Sequence, residues 1–428
     1  MAAVLAGCGG TNTGAVPQAN AAAVQLSASQ YAVLYSFAGG SDGAYPFDAP
    51  LIDATTGALY GTTAEGGIDD CYFLNQKFGC GTIFKLTPAK SGYSESVLYR
   101  FCPSASSCVS TGSFPVGGLI AGKNGRLWLY GAASRGGNTS CTTPDYVGCG
   151  TAFRIGAAGN DFQVLQAFDG ADGFGPNAPL TPTAPGPLYS TTNLGGAYGY
   201  GTVYKLQPSE SGYRESVLYS FKGTTNGPDG AFPADGVTLS KNGALFGVTV
   251  YGGTHGRGAV YKVTPLGPNT ERIIHSFGAS GDGFQPFGGL IVDKNGVVYG
   301  TTSAGGAHSG GVVFELARSR GNYVEKILYD FCSASKCTDG SFPTAGVTSA
   351  DGALYGTTES GGAYNDGTVF RLARSGSHYT EQVLHSFGAS GDGAEPNAGV
   401  VVGADGALYG TTEAGGANGY GTVFRLKP

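Results

Sequence analysis

The sequence has few charged residues and no long apolar run. Asp, Glu, Lys and Arg make up 13% of its 428 residues, about half the share that is usual in globular proteins. The formal net charge is −6, so Lys and Arg are not in excess and cannot form the basic surface that binds nucleic acid. No stretch approaches the roughly 20 apolar residues that span a bilayer. We therefore expect neither a nucleic-acid partner nor a transmembrane helix.

Familiar catalytic motifs are also missing. The chain contains no G-x-S-x-G, no P-loop and no dinucleotide fingerprint. Cysteine and histidine do not occur at the spacing of a zinc site, so no metal and no cofactor is expected. Glycine is abundant instead, with 77 residues beside 21 prolines. The 41% of hydrophobic residues nevertheless supply enough apolar side chain for a folded core and argue against disorder.

The cysteines beyond Cys8 fall into four close pairs. Each pair brackets a loop-like insertion, and no cysteine among these eight is left over. Local pairs in loops predict disulfides, which form in an oxidising compartment. The pairs are Cys71/Cys80, Cys102/Cys108, Cys141/Cys149 and Cys332/Cys337.

The first residues resemble the end of a bacterial lipoprotein signal. Leu5-Ala6-Gly7-Cys8 is similar to a lipobox, in which the Cys is acylated and becomes the mature N-terminus, so Cys8 is the candidate lipidation site. Residues 1–8 would be a truncated signal, because the charged and most of the apolar segments that precede a lipobox are missing. Gly9 in place of Asp implies sorting to the outer membrane. Residues 9–30 are small and polar and predict a flexible tether of roughly 25 Å.

One unit is repeated seven times between residues 31 and 428. Each unit has a Y-G-T-T string or a close variant, then a Gly-Gly pair, then a stretch like G-T-V-F-K-L. A stretch like V-L-Y-S-F precedes each unit. The strings begin at Tyr60, Tyr130, Tyr189, Phe246, Tyr299, Tyr355 and Tyr409. The Phe of V-L-Y-S-F is Phe37, Phe101, Phe168, Phe221, Phe277, Phe331 and Phe387.

Each unit predicts four short strands and no helix. Pairs such as Asn295-Gly296 and Asp405-Gly406 indicate two-residue hairpin turns of type I′, which need φ > 0 at both positions. Four antiparallel strands repeated seven times are typical of a β-propeller. The all-β fold predicted for residues 31–428 is therefore a seven-bladed β-propeller of four-stranded antiparallel blades. Small residues at the start of one strand place it innermost, with V-L-Y-S-F outermost, so the first strand (residues 33–37) would complete the last blade and close the ring.

The repeat consensus resembles a known family. The pattern Y-G-T-T-x-x-G-G, G-T-V-F-K-L, V-L-Y-S-F and D-G-x-x-P is similar to the GloVer tandem repeat of bacterial "choice-of-anchor" surface proteins, over all seven units. This resemblance implies a surface protein whose anchor varies between members, here the lipid on Cys8. The family has no agreed catalytic residues, so the resemblance assigns none.

An Asp-Gly pair follows the V-L-Y-S-F stretch in six units. Six carboxylates in equivalent positions could surround an axis and hold a structural cation. The favoured explanation is that Asp before Gly caps a turn through its own side chain, because a residue repeated in every blade usually serves the blade. These residues are Asp42, Asp172, Asp229, Asp282, Asp339 and Asp392.

Residues that differ between units are the better functional candidates. The loop after Y-G-T-T carries Glu65, Glu359 and Glu413 in three units and His255 and His308 in two others. Solvated loop decoration is the plainer explanation for each of these side chains. We name as ligand-binding candidates Tyr198, Tyr200, Tyr364, Tyr420, Glu359 and Glu413, and as catalytic candidates His255, His308, Tyr251 and Arg257. His275 and His385 replace the Tyr of V-L-Y-S-F and are expected to pack.

Two classes of function compete. The first is a lipid-anchored binding or scaffold module at the outer membrane or cell surface, monomeric, with a polysaccharide or a protein as its partner. The second is a polysaccharide lyase or hydrolase, because His and Tyr side chains suit proton abstraction. Binding is favoured, since five histidines, two of them packed, leave few titratable groups to converge on a substrate. Propellers host both roles, so the fold does not decide.

Overall fold

The computed structural model describes most of residues 31–428. The exceptions are residues 68–70, 74–75, 78, 103–107, 124–125, 142–146, 184–185, 211, 225–227, 266–269 and 377. The predicted signal with Cys8 and the predicted tether lie outside the described residues and stay predictions. Within the described residues no helix is long and apolar enough to cross a membrane.

Seven antiparallel sheets form the seven blades, which confirms the predicted fold. In each blade the order in space is inner, second, third and outer strand, as the sequence predicted. The inner strands are Leu51–Ile52, Ile120–Lys123, Thr181–Pro182, Thr238–Leu239, Ile291–Val292, Thr348–Ala350 and Val401–Val402. The second strands are Leu59–Thr63, Leu127–Ala133, Leu188–Thr192, Leu245–Gly252, Val298–Thr302, Ala353–Thr358 and Leu408–Thr412.

The two remaining strands of each blade carry the G-T-V-F and V-L-Y-S stretches. The third strands are Thr82–Ala89, Thr151–Gly156, Thr202–Ser209, Ala259–Thr264, Val312–Ser319, Thr368–Ser375 and Thr422–Leu426. The outer strands of blades 1 to 6 are Gly92–Arg100, Gln163–Ala167, Gly212–Ser220, Thr270–Ser276, Asn322–Asp330 and His378–Ser386. Short additional strands lie in the loops: Tyr72–Phe73, Gln76–Lys77, Gly230–Pro233, Gly283–Phe284, Ala304–Gly305, Gly393–Ala394 and Ala414–Gly415.

The N-terminal strand closes the ring. Tyr31–Ser36 pairs antiparallel with Thr422–Leu426, with Tyr31 opposite Leu426, and so forms the outer strand of blade 7. Phe37, directly after this strand, is fully buried in a cluster with Leu59 of blade 1 and Val423 of blade 7. The first and last parts of the chain are thus held in one blade, as predicted.

The core lies between neighbouring blades. Seven hydrophobic clusters each join residues of two adjacent blades, and together they run once around the ring. The Phe of V-L-Y-S-F is fully buried in all seven units. Because each cluster needs both of its blades, no single blade buries its own core.

The Y-G-T-T motif serves packing between strands and blades. In blade 6 a Cβ on Gly356 would overlap the ring of Phe370 on the third strand, so glycine lets this ring pack against the second strand. Thr357 Oγ1 donates to the carbonyl of Ala398 in blade 7 at 2.7 Å. Thr358 Oγ1 lies 2.9 Å from Thr368 Oγ1 on the third strand.

The four predicted disulfides are present, in the predicted pairs. They join Cys71 to Cys80, Cys102 to Cys108, Cys141 to Cys149 and Cys332 to Cys337. The Sγ atoms of Cys71 and Cys102 lie 3.6 Å apart, so the bridges of blades 1 and 2 share one cluster. The expectation of no helix is wrong in detail, because short helical turns occur beside the cysteines. They are the helix Cys108–Thr111 and the 3-10 turns Thr139–Cys141 and Ser335–Cys337.

Cys149 closes its loop insertion and also belongs to the core. Cys149 is fully buried and is part of the hydrophobic cluster between blades 2 and 3, together with Phe168 and Leu188. Its N–H donates to the carbonyl of Asn138 at 2.8 Å, and its own carbonyl accepts the N–H of Gly175 in the next blade at 3.0 Å. Cys149 is therefore a core residue, and its bridge ties the insertion to the core because its partner Cys141 is only partly buried.

The prediction of type I′ hairpin turns is mostly wrong. Asp351-Gly352 has positive φ at both positions, 50° and 74°. At Asn295-Gly296 the positive φ belongs to Gly296 alone, and the loop is longer than two residues. There Asp293 Oδ1 accepts the N–H groups of Asn295 and Val297 at 2.8 Å each, so an acidic side chain two residues before the Asn shapes the turn.

Candidate functional site

Two loops of every blade open on one side of the ring, which we call the loop face. The first loop leads from the outer strand of one blade to the inner strand of the next, and the second joins the second and third strands. The two loops pair with each other, for example through Ala44 with Glu65 and through Ser341 with Ser360. They therefore form one continuous surface.

The repeated Asp of the first loop caps its turn. In blade 6 Asp339 Oδ2 accepts the N–H of Ser333 and the hydroxyl of Tyr329, both at 2.9 Å. Asp42 accepts the N–H of Ala38 at 2.8 Å and the hydroxyl of Tyr35 at 3.0 Å. The structural explanation for these aspartates is thus confirmed at these positions.

A repeated glutamate on the outer strands was not predicted from the sequence. Burial between blades raises the pKa of each, and a neighbouring Asp-Gly aspartate raises it further. The pKa rises to about 8 for Glu271, next to Asp229, and to about 8 for Glu325, next to Asp282. The series is Glu95, Glu215, Glu271, Glu325 and Glu381.

Two units lack the glutamate of this pair. Where unit 2 has Thr111 in place of the Asp, Phe162 stands in place of the Glu and stacks on Tyr99 at 4.0 Å. In the closing strand Tyr31 takes the place of the Glu and donates its hydroxyl to Asp392. The joint loss of both carboxylates in unit 2 is the signal that could have revealed the pairs.

A left-handed backbone residue precedes the proline of the first loop in every blade. Their φ values lie between 56° and 66°. This conformation costs a non-glycine residue roughly 1–2 kcal/mol, and such strain concentrates at functional sites. The seven residues, called here the left-handed ring, are Tyr45, Phe114, Gly175, Phe232, Gln285, Phe342 and Glu395.

Hydrogen bonds on both sides hold the left-handed ring in place. The N–H of Phe342 donates to the carbonyl of Gly310 in the preceding blade at 2.9 Å. Its own carbonyl accepts the N–H of Glu359 at 2.9 Å. The backbone is therefore fixed by the blade junction, while the side chain is free to differ between units.

Aromatic side chains gather on the loop face. Of the seven large apolar side chains that are clearly exposed in the described part of the chain, only Val324 lies on an outer strand. The other six lie at the loop face, five of them on loops and Tyr251 near the end of the second strand of blade 4. The six are Val147, Tyr198, Tyr251, Phe342, Tyr364 and Tyr420.

Two small aromatic clusters lie among these residues. Phe232 makes edge contacts with Tyr200 at 5.6 Å and with Tyr251 at 6.0 Å. Gln285 Nε2 lies 3.4 Å from the Tyr251 hydroxyl. On the far side of the ring, Tyr45 makes an edge contact with Tyr420 at 5.9 Å.

The predicted glutamates form an acidic sector in blades 6, 7 and 1. Burial, together with the negative charges of Glu395, Glu359 and Glu65, raises the pKa of Glu413 to about 7. Asn397 donates its side-chain N–H to Glu413. The structure thus brings Glu359 and Glu413 together with Glu395, which the sequence analysis did not name.

The four catalytic candidates do not touch one another. The guanidinium of Arg257 lies 4.7 Å from the ring of Phe284, and His308 Nδ1 lies 3.4 Å from Asp330 on its own blade. His255 is exposed. Among the described residues no hydrogen bond, ion pair or ring contact joins any two of His255, His308, Tyr251 and Arg257.

A repeat-family model matches almost the whole chain. The Gloeobacter/Verrucomicrobia repeat matches residues 6–182, 145–338 and 326–428. The chain belongs to this family. The resemblance in the Y-G-T-T and V-L-Y-S-F repeats is thereby confirmed at the level of the family. No curated protein of known function is detectably similar in sequence to this member of the Gloeobacter/Verrucomicrobia repeat family.

Solved structures share the propeller fold at low identity. A polysaccharide lyase is 9% identical, with a TM-score of 0.49 and 89% of each chain covered. A gluconolactonase from Xanthomonas campestris is 14% identical, with a TM-score of 0.40, 76% of this chain and 85% of that chain covered. A chain of the nidogen/laminin complex is 13% identical, with a TM-score of 0.41, 72% of this chain and 91% of that chain covered. These likenesses concern the fold and do not distinguish enzymes from binding proteins.

Proposed function

We propose that this repeat protein is a binding module that holds a neutral polysaccharide on its loop face. The observation that carries the proposal is the left-handed ring, in which four of seven positions are aromatic. Glycine adopts this backbone at no steric cost, and unit 3 uses it at Gly175. If the ring served only the fold, glycine would suffice in every unit.

Phe114 is buried in the hydrophobic cluster between blades 1 and 2, so packing explains its ring. The other three aromatic side chains, Tyr45, Phe232 and Phe342, have to be explained by what they present. Phe342 is 46% exposed and Tyr251 also 46%, so their rings offer flat apolar faces next to polar groups. The rings are spread over several blades instead of forming one apolar patch. A long chain with alternating apolar faces and hydroxyl groups fits that spacing better than the apolar core of a protein interface does.

The acidic sector favours a neutral ligand over an acidic one. The negative charge of Glu395 raises the pKa of both Glu359 and Glu413, so an incoming carboxylate would be repelled by the same charge. Carboxyl groups in this sector can accept hydrogen bonds from sugar hydroxyls. We therefore expect binding to xylan or β-glucan and weak binding to alginate.

Affinity electrophoresis in gels that contain xylan, β-glucan or alginate tests the proposal. The wild-type protein should be retarded by a neutral polysaccharide. Tyr251→Ala and Tyr364→Ala should each weaken the retardation severalfold. Val324→Ala is the matched control, because Val324 is 55% exposed but lies on an outer strand, and this variant should migrate as the wild type does.

Two results would refute the proposal. Migration that does not change in any of the gels would argue for a protein partner. Release of unsaturated ends from the polysaccharide, lost in His308→Ala, would establish the alternative of a lyase.

We also propose that the protein is exported and held at the outer membrane by lipid on Cys8. The lipobox-like Leu5-Ala6-Gly7-Cys8 and the four disulfides support this proposal, because disulfides persist in oxidising compartments. Mass spectrometry of the N-terminal peptide, after expression with a complete signal, tests it. An unmodified Cys8 in protein released to the medium would refute the anchor.

A further inference from the structure

A cavity of about 250 Å³ lies on the ring axis, apart from the aromatic loops. Its walls are the innermost segments of blades 1, 2, 3, 4, 5 and 7. Two carboxylates line it, Asp48 of blade 1 and Asp235 of blade 4, and no basic side chain is among the lining residues. The volume is below the usual range of sites for drug-sized ligands.

Only two of the seven units place an acid at this position. Asp48 and Asp235 both stand three residues before the inner strand of their blade. The other five units have residues without a polar side chain there: Gly117, Ala178, Gly288, Ala345 and Ala398. Packing at the crowded axis favours small residues, so the two aspartates depart from what the fold requires.

Asp235 has an oxygen atom without a partner. Its side chain is buried, with the residue 1% exposed. Oδ1 accepts the N–H of Gly236 at 2.6 Å, whereas Oδ2 has no partner of normal hydrogen-bond geometry among the described residues. The N–H of Gly289 in the next blade is nevertheless close enough to lower the pKa of this carboxyl group. A buried carboxylate oxygen without a partner costs several kcal/mol in principle, so a positively charged ligand in the cavity would relieve it.

Asp48 occupies space that its neighbour leaves open. Its residue is 5% exposed and Oδ1 accepts the N–H of Ala49 at 2.7 Å. A Cβ on Gly118 of blade 2 would overlap Asp48 Oδ2. The glycine at 118 therefore permits the carboxylate to lie against the cavity wall.

The rest of the lining is poor in ligands for a metal ion. Ca²⁺ takes six to eight oxygen ligands. The Thr181 and Thr238 hydroxyls already donate to the carbonyls of Val237 and Leu290. The other walls include Leu51, Ile120 and Val401, which suit a hydrocarbon body.

We propose that the axial cavity binds a small organic ammonium ion, with its charged head at Asp235 and Asp48 and its hydrocarbon part against Leu51, Ile120 and Val401. Burial raises the pKa of Asp235 to about 7, although the N–H groups of Gly236 and Gly289 oppose the rise. The ligand would hold this carboxyl group in its ionised form. The site does not depend on the proposed polysaccharide function.

Calorimetric titration of the whole protein at pH 8 with butylammonium chloride tests the proposal. Butanol supplies the same hydrocarbon without charge, and CaCl₂ supplies charge without hydrocarbon. We expect saturable binding of butylammonium alone. Asp235→Asn and Asp48→Asn should each weaken it by about tenfold or more, as for loss of a charged hydrogen bond.

Asp351→Asn is the matched control, because Asp351 lies in an exposed turn with φ of 50°, a conformation that Asn accepts. It should bind butylammonium as the wild type does. If Asp235→Asn does not fold, the proposal is still tested by Asp48→Asn and by the comparison of the three probes on the wild-type protein. Calcium binding without butylammonium binding, equal binding of butanol, or no binding at all would each overturn the proposal.

Discussion

At the residue scale, one hydroxyl can hold two blades together. Thr301 Oγ1 donates to the carbonyl of Ala345 in the next blade at 2.7 Å, and both residues are buried. Blade 4 has Val248 at the equivalent position, so an apolar side chain of the same shape fits there. The hydroxyl thus contributes to stability without determining the fold.

Replacing this hydroxyl should cost little but measurably. We expect Thr301→Val to lower the free energy of unfolding by about 1 kcal/mol, the usual net value of one buried hydrogen bond. Urea denaturation measures the change. Thr254→Val, at an exposed loop position, is the control and should unfold at the wild-type midpoint. An unchanged midpoint for Thr301→Val would show that the bond between blades contributes nothing.

At the element scale, each pairing of an outer-strand Glu with a loop Asp makes the stability of the fold depend on pH. Burial and a neighbouring Asp raise the pKa of Glu271 to about 8. A carboxyl group with a raised pKa binds its proton more tightly in the folded state, so its contribution to stability is full below its ordinary pKa and is lost as the pH rises through about 8. The same sign holds for Glu215 and Glu381, whose pKa values are raised to about 7.

Thermal unfolding should therefore occur at a higher temperature at pH 5 than at pH 8, by at least ~2 °C. Glu271→Gln should raise the melting temperature at pH 8 and leave it nearly unchanged at pH 5, because the amide resembles the protonated acid. Glu210→Gln, at an exposed turn, should change neither value. A wild-type melting temperature that is lower at pH 5 than at pH 8 would contradict the raised pKa values of these glutamates.

The disulfides connect elements within single loops. Peptide mapping without reduction should find the four local pairs. The two cysteines of each pair are at most nine positions apart in the sequence. Because Cys71 and Cys102 lie 3.6 Å apart, a peptide that joins these two residues is the exchange product to look for. Its presence as the main species would show that the bridge runs between blades 1 and 2 instead.

At the scale of the whole molecule, the repeats predicted the ring but not its chemistry. The seven repeats predicted seven blades, and the small residues at the start of one strand predicted which strand is innermost. The stretch Val33 to Phe37 predicted how the ring closes. The left-handed ring was not predicted, because the residue before a proline normally avoids that backbone and Phe or Gln in a loop carries no sign of it. The partnership of Asp229 with Glu271 was missed because the two residues are far apart in the sequence, one in a loop and the other on an outer strand.

Closure by the first strand predicts high protection at the start of the propeller. Amide hydrogens of Tyr31–Ser36 that bond to Thr422–Leu426 should exchange with solvent as slowly as those of the outer strand Asn322–Asp330, since both strands pack in the same way. Hydrogen exchange followed by mass spectrometry compares them directly. Exchange of residues 31–36 at the rate of an unfolded peptide would mean that the ring is open.

The central claim is that the aromatic side chains of the left-handed ring that reach the surface, Phe342 above all, are kept for binding and at a cost to the fold. Phe342→Gly and Phe342→Ala, compared by urea unfolding and by retardation in polysaccharide gels, test it most directly. Both variants should lose binding severalfold, and the Gly variant should be more stable than the Ala variant by about 1 kcal/mol, because Ala keeps the left-handed strain and Gly relieves it. Retardation equal to that of the wild type in both variants would contradict the account.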